Sequence, residues 1–377
     1  MGARGAGPCG GGLQEGAPRG AAQKKSPLSW WCVYGEVRIE ELTLRTATLH
    51  SLRPFARRAR VSCRGKSARL QRAMADFGIE KSFASGNRQL LEHYGFGLNA
   101  SAIRHATLKH ARRAEAMLRG EYEQPCRSLP GKGAGTPKCI IAEADGSMLC
   151  TVPEGRARKG TRPRQWQEIR LLAAQPQGSA KTTYAATFGS VQEAGQRWGH
   201  AARQAGRALE SRIHAVCDGA EWIAIQTREV FGADANLLTD YYHVSEYLAA
   251  AAPACRPQAP EQWRRTQQKR LKRAASTQVI DELAGHREAP EVPDENAPVR
   301  SAHRYLSNRP DTLDYAAAIA AGLPIGSGLI ESGHKHVLQA RLKLPGCAWL
   351  PTNAESIAQL RVLRSNDRWN ELWPLAA

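Results

Sequence analysis

The stretch Cys139-Ile-Ile-Ala-Glu-Ala-Asp145-Gly-Ser-Met-Leu-Cys-Thr-Val152 decides the fold. An apolar run reaches an acid followed by Gly, and a second apolar run comes after it. The spacing predicts a strand, a turn and a strand, with Asp145 at the strand end. The pattern recurs at His214-Ala-Val-Cys-Asp218-Gly, again a short apolar strand that stops on Asp-Gly. Around these two, residues 166–172 and 182–189 read as further strands of one sheet, and 191–213 as a helix feeding the second acid. A fifth strand, 235–239, ends at Asp240 and passes straight into a helix over 241–252. Strands that alternate with helices and end on acids argue for an α/β domain whose site lies at the strand C-termini.

Beyond that sheet the chain turns polar. Residues 258–308 are charged and helical in pattern, with Arg264, Arg265, Lys269, Arg270, Lys272 and Arg273 clustered and a Pro-broken segment at 289–298. Two more helices, 314–321 and 330–342, flank the loop Gly322-Leu-Pro-Ile-Gly-Ser-Gly328. Upstream, Pro/Gly-rich residues 121–138 read as a linker and the best domain boundary. Residues 1–26 are Gly/Ala-rich, with almost nothing to bury, and are expected to be disordered. Residues 31–49 alternate as a half-buried β-hairpin does. From Ser67 the period lengthens: Leu70, Met74, Phe77, Ile79 and Phe83, then Leu90, Leu91 and Tyr94, fall at helical spacing. After the turn Gly95-Phe-Gly97, Asn99 or Ser101 caps a helix over 101–119 that carries Arg104, Lys109, Arg112 and Arg113. Two short helices, a Gly turn and a basic helix read as a helix-turn-helix-like unit suited to phosphate or major-groove contact. An ordinary helical hairpin fits the same pattern. The expected organisation is therefore 1–26 disordered, 27–120 a small basic β-hairpin plus helical DNA-binding region, 121–138 linker, 139–252 the sheet-rich part of an α/β domain, 253–308 a polar helical stretch, and 309–377 the remainder of that domain with the Glu331 helix.

Charge supports a polyanion partner. The whole chain has 53 Lys+Arg against 35 Asp+Glu, a net of +18. Residues 1–140 hold 24 of the bases and 10 of the acids, so +14 of that net lies in the first third. A merely solvated basic surface would carry the same charge, but its concentration ahead of a near-neutral remainder favours nucleic acid. Other classes are excluded more sharply. Runs such as 315–323 and 248–254 are far too short to span a bilayer, so no membrane partner is expected. The start lacks the apolar run of a signal peptide, which predicts a cytoplasmic protein, nucleoid-associated when bound to DNA. The nine cysteines contain no C-x-x-C pair and are odd in number, so neither a disulfide framework nor a zinc ribbon is supported.

Three acids stand out as candidate metal ligands: Asp145, Asp218 and Glu331, the last at the start of a helix. Hard carboxylates on neighbouring strands with a third on an adjacent helix suit Mg²⁺. Two such ions can activate a water or 3′-hydroxyl and stabilise the leaving oxygen of a phosphodiester. Each Asp-Gly alone is an ordinary turn signal. Asp240-Tyr-Tyr-His243 puts an acid at a helix N-cap and an imidazole three residues later; as isolated local structure, a capping Asp with an incidental His explains it. In Gly326-Ser-Gly-Leu-Ile-Glu331-Ser-Gly-His-Lys335-His, the Gly-rich loop lets backbone approach a phosphate. Positions 331, 335, 338 and 342 share a helical face, so Glu331 and Lys335 could face a cleft while Leu338 and Leu342 pack inward. Lys335, Arg341 and Lys343 would add positive charge beside the site; an exposed Glu–Lys pair at i,i+4 is the plainer alternative.

At this point the sequence resembles a known family. ADGSM (144–148), CDGAEWI (217–223), LLTDYYHVSEYLAAA (237–251), GLPIGSGLIESGHKHVLQARLKLPGCAW (322–349) and RVLRSNDRWNELW (361–373) look like the DDE transposases of bacterial insertion sequences. The likeness is to the ISKra type, related to Mutator-like transposases. LRPFARRARVSCRGKSARLQRAMADFGIEKSFA and EHYGFGLNASAIRHATLKHA look like the N-terminal region of the same family, so the resemblance runs over residues 33–373. It implies a ribonuclease-H-like catalytic domain with a mostly helical insertion, and Asp145, Asp218 and Glu331 as a metal-binding triad. It also implies two Mg²⁺ ions with Mn²⁺ able to substitute. Asp240 and His243 fall on the family's D/C-x-x-H motif, which puts His243 near the active site, positioning substrate or metal-bound water and not ligating Mg²⁺ itself. The implied partners are double-stranded DNA, as terminal inverted repeats and target, and a second copy of the chain in a homodimer or higher oligomer. The Gly/Ala-rich start departs from the family, no zinc-binding cysteine pairs are present, and Cys217 stands where a small residue is expected.

The functional expectation is a transposase that binds the ends of its element, cleaves DNA and joins the freed strand to a target. A decayed or co-opted copy acting only as a DNA-binding protein is the alternative. A hydrolase using its carboxylates on a sugar is a third reading, made poor by the basic N-terminal third.

Overall fold

A computed structural model of the chain describes residues 23–45, 51–59, 61–63, 65–124, 128–131, 133, 135–155 and 163–373. The chain divides into two compact units, residues 1–78 with 83–107 and residues 79–82 with 108–377. The division falls inside one helix, between Thr107 and Leu108, and not in the 121–138 segment. Residues 1–22 of the expected disordered start lie outside the described residues, as do residues 46–50.

In the first unit, β1 (Gln23–Cys32) pairs antiparallel with β2 (Gly35–Arg45), and the short β3 (Ser51–Leu52) adds to β2. The β1 register, Gln23↔Leu44 through Cys32↔Gly35, pulls residues 23–26 into the sheet, correcting the expectation that they are disordered. After the five-residue α1 (Pro54–Arg58), helices α2 (Ala68–Glu80), α3 (Phe83–Tyr94) and the beginning of α4 (Ala100–Tyr122) follow the helical spacing of the sequence. Leu70, Met74, Leu90, Ile103 and Ala106 form the core here. Two glycines let these helices approach closely: a Cβ on Gly78 would lie 2.0 Å from the Thr107 hydroxyl, and one on Gly86 3.2 Å from Ile103. Gly95, at φ +74, ends α3, its N–H returning to the Leu91 carbonyl at 2.9 Å.

The second unit is a mixed α/β structure. Its sheet has the order β6-β5-β4-β7-β8, with β4 (Cys139–Thr151), β5 (Gln165–Pro176), β6 (Thr183–Thr187), β7 (Arg212–Cys217) and β8 (Asn236–Thr239). β4, β5 and β6 pair antiparallel, while β4, β7 and β8 run parallel. One face is apolar at alternate positions: Ile140, Ala142 and Ala144 pack with Trp198 of α5 (Val191–Gln204) and Ile223 of α6 (Glu221–Phe231). Trp198 is fully buried and its indole N–H donates to the Ala173 carbonyl at 3.0 Å, so its truncation would cost about 3–5 kcal/mol. Helix α5 stops at Gln204, short of the 191–213 expectation, because Gly206 takes φ +96 and turns the chain toward β7.

From the end of β8 the chain enters α7 (Tyr241–Cys255), then α8 (Pro260–Leu271), α9 (Ser276–Gly285), α10 (Pro298–Ser307) and α11 (Tyr315–Ala320). Leu248, Trp263, Leu283, Leu306 and Tyr315 give this bundle one core, continuous with Val216 and Leu238 of the sheet. Helices α8 to α10 occupy the stretch 258–308 that reads as charged and helical in sequence. After α12 (Gly328–Gly333) comes a π turn (His334–Gln339), then α13 (Ala340–Leu342) and α14 (Pro351–Ser365). No described helix is long and apolar enough to cross a membrane.

Candidate carboxylate site

Strand β4 is continuous from Cys139 to Thr151, so Asp145 lies within a strand and not at its end. This corrects the strand–turn–strand expectation, and β5 supplies the reason: it pairs along the whole length, Ile140↔Pro176 to Thr151↔Gln165, leaving Asp145-Gly146 no freedom to turn. Gly146 serves a neighbour instead, since a Cβ there would lie 2.0 Å from a Glu168 carboxylate oxygen. What does end near Asp145 is the parallel pairing. The last β4–β7 pair is Glu143↔Val216, and two residues further along each strand stand Asp145 and Asp218. Neighbouring strands lie about 4.8 Å apart, so the register sets the two carboxylates side by side where β4 and β7 part.

Their electrostatics reflect that placement. The Asp145 carboxyl is pushed up to about 6, by burial first and then by the negative charge of Asp218. Glu168 raises it further, while His243 and a hydrogen bond from the Gly146 N–H (2.7 Å to Oδ1) oppose the shift. Asp218 accepts from the Ala220 N–H at 3.0 Å, an Asx turn that fixes its rotamer. His243 is exposed on the first turn of α7.

Asp240 takes the capping role read from the sequence. One oxygen, Oδ1, accepts from the Tyr242 and His243 N–H groups at 2.6 and 3.0 Å. The other accepts from the backbone N–H of Ser327, at 2.6 Å, and from its hydroxyl. Loop 322–328 is pinned at further points: the Tyr241 N–H donates to the Ile325 carbonyl, and the His214 ring lies 2.8 Å from the Pro324 carbonyl. His214 also meets the Asn236 amide at 2.9 Å, and burial lowers its pKa, so the neutral ring donates through Nε2 and accepts at Nδ1.

This loop delivers α12. Glu331 lies in its first turn and is exposed, as are Lys335 and Lys343, while Leu338 and Leu342 are buried. Arg341 is a correction. Its side chain is 1% exposed and stacks over the Trp349 ring at 4.8 Å, and burial lowers its pKa to about 10. The π turn winds wider than an α-helix and carries Arg341 to the inside, where an aromatic partner receives it. Arg104, Lys109, Arg112 and Arg113 are all exposed along α4, a different element.

Two residues of this site were not singled out from sequence. Glu143, two positions before Asp145 and on the same strand face, is buried, and its Oε2 accepts from the Ile330 N–H at 2.8 Å. Burial raises its carboxyl to about 8 despite that bond, with small additions from Asp240 and Glu331. His334, one turn after Glu331, is buried with Nε2 3.3 Å from both Oδ2 and the carbonyl of Asp145. Burial lowers its pKa to about 4, so the ring is neutral at pH 7 and Nε2–H donates to Asp145. The period of two would have put Glu143 beside Asp145; His334 had only its helical spacing from Glu331.

The donor set suits a hard divalent cation in kind. Two carboxylates that repel each other would be relieved by a positive ion between them, and Mg²⁺ commonly binds through one or two carboxylates with water and substrate phosphate completing its shell. Among the described residues, however, no three His, Cys, Asp or Glu side chains converge on one point. Glu331 perturbs Glu143 and does not close onto the aspartate pair.

No protein-family model and no curated protein matches the chain. Among solved structures, the Drosophila P element transposase strand transfer complex is similar over 80% of this chain and 79% of that chain, at 8% identity and a TM-score of 0.28. A likeness so slight sets neither fold nor activity.

Proposed function

We propose that the chain is a DDE transposase of the ISKra type, with a ribonuclease-H-like catalytic domain in which Asp145, Asp218 and Glu331 are the metal-binding acids. The observation that carries this reading is the β4–β7 register, which sets Asp145 and Asp218 side by side at the point where the strands part. The mixed five-stranded sheet, the helices inserted between β8 and the glutamate helix, and the family motifs at each acid support it. In this reading Asp145 and Asp218 hold Mg²⁺ or Mn²⁺, with Glu331 drawn in when DNA binds. The ion, when bound, supplies Lewis acidity at the phosphoryl oxygen and lowers the pKa of water.

The protein's own groups orient the reactants. His334 fixes the Asp145 carboxylate through Nε2–H. His243, exposed beside the acids, positions substrate; Lys335 and Lys343 attract the phosphodiester. Arg104, Lys109, Arg112 and Arg113 contact the phosphates of the terminal inverted repeats, as an exposed basic helix can. Joining two ends calls for at least a dimer on DNA.

The test is nicking of the element's own end DNA in Mg²⁺ or Mn²⁺. The parent should cut, and Asp218→Asn should lose at least about 100-fold, because a neutral amide removes one anionic ligand. Equal cutting by Asp218→Asn removes the triad assignment. The absence of a converged three-ligand set among the described residues favours a second reading, a DNA-binding protein without strand transfer. Gel shifts on end DNA with no cleavage in either metal would select it.

A further inference from the structure

We propose that Tyr305, on α10, and Arg309, just after that helix, are positioning residues for Asp218. This rests on the reading of Asp145 and Asp218 as a cation-binding pair.

The Tyr305 hydroxyl donates to the Asp218 carbonyl at 2.5 Å, and Arg309 Nη2 donates to the Gly219 carbonyl at 2.6 Å. The two successive carbonyls of the turn that carries the acid are thus both gripped by side chains 87 and 90 residues away in sequence. The grip is rigid. Arg309 stacks over the Tyr305 ring at 4.2 Å and donates through Nη1 to the Tyr305 carbonyl at 2.9 Å. Tyr305 in turn stacks on Tyr247 of α7, with centroids 4.1 Å apart and planes 18° from parallel. Gly219 admits both groups. It sits at φ +89, and a Cβ there would lie 2.5 Å from Arg309 Nε and 2.9 Å from the Tyr305 hydroxyl.

Asp218 is the first residue past β7, whose last pair is Cys217↔Thr239, so the sheet no longer fixes it. Its carboxylate can serve as one half of a cation site only if the turn is held from outside. Tyr305 and Arg309 supply that hold, which gives the insertion a role in the chemistry of the sheet. Outer-shell groups of this kind commonly contribute 10-fold to 100-fold to metal affinity or activity.

The experiment compares the full-length parent with Tyr305→Phe, Arg309→Met and Arg309→Lys. Tyr305→Phe keeps the aromatic stack and removes only the hydroxyl. Mn²⁺ affinity is measured without DNA by electron paramagnetic resonance, and kcat and KM for nicking separately, with thermal unfolding as the folding control. Tyr305→Phe and Arg309→Met should unfold cooperatively near the parent temperature. Both should bind Mn²⁺ about 10-fold more weakly and lose kcat by about 10-fold to 100-fold at unchanged KM for DNA. Arg309→Lys, which can still donate to the Gly219 carbonyl, should fall between. A role in packing alone would move the unfolding temperature and leave Mn²⁺ affinity untouched; that result overturns the inference. If the parent binds no Mn²⁺, or binds it equally after Asp218→Asn, the reading of the carboxylate pair fails and the inference fails with it. If the parent passes and Tyr305→Phe and Arg309→Met match it, only the inference fails.

Discussion

His110 shows how much a single side chain in this protein depends on being kept from water. It is 5% exposed on α4, with its ring 4.1 Å from that of Trp373. Burial, and then the charges of Lys109 and Arg113, lower its pKa to about 3. The unfolded chain takes up the proton near pH 6.5 and the folded chain does not, so stability contributed by the neutral ring is complete above pH 6.5. It is lost as pH falls from there toward about 3, at about 1.4 kcal/mol per pH unit. His110→Gln should therefore flatten the fall of urea-derived stability between pH 6.5 and pH 4.5, even if the variant is less stable throughout. Identical slopes for variant and parent would show that His110 titrates normally. At the same scale, Asp240 was readable from its neighbours because a cap acts within three residues. Glu143 and His334 were harder, since what defines them is contact across 187 and 189 residues with Ile330 and Asp145. Local spacing could propose the acids but not the groups that hold them.

Secondary structure was legible where periodicity was strong and misread where turn chemistry competed with pairing. Helices α2, α3 and α4, the strand β8 and its passage into α7 follow directly from spacing and caps. The Asp145-Gly146 pair, a turn signal in isolation, runs straight because β5 accompanies it on one side. The π turn after α12 left no trace in the sequence, and its cause is tertiary. Arg361, 6% exposed on α14, donates through Nε to the Val337 carbonyl and through Nη2 to the His336 carbonyl, both in that turn. It also donates to the Ile79 carbonyl and pairs with Glu80 at 3.3 Å. A wide turn leaves carbonyls in need of donors, and the guanidinium meets two of them there and a third on Ile79. Arg361→Met keeps the length and the apolar stem but strands those carbonyls. It should lower stability by at least about 3 kcal/mol, given 1–3 kcal/mol for each buried group left unsatisfied, and this is readable as a shift of the urea midpoint. A midpoint within error of the parent would mean water or another donor already serves the turn.

Across the whole molecule, charge and carboxylates are divided between different stretches of chain. Residues 1–140 carry +14 of the net +18, whereas the acids of the proposed site all lie in the near-neutral remainder. Such a division suits a protein that attracts a polyanion with one part and acts on it with another, and it has a measurable signature. Binding to DNA by phosphate contact releases counterions, and the slope of log affinity against log salt grows by about 0.9 for each phosphate neutralised. Arg104 and Arg113, both exposed on α4, are proposed to make two such contacts. Arg104→Gln with Arg113→Gln should therefore weaken end binding at low salt and reduce the slope by about 1.8 in magnitude, equally on matched and scrambled sequences. Fluorescence anisotropy across a salt series, with the full chain and a labelled duplex, measures both. An unchanged slope in a folded double variant would remove α4 from the DNA interface and move the search to the exposed bases of the insertion, Lys269 and Arg273. If the loss appeared only on matched ends, α4 would be reading bases as well as phosphates, since a backbone contact cannot distinguish sequences.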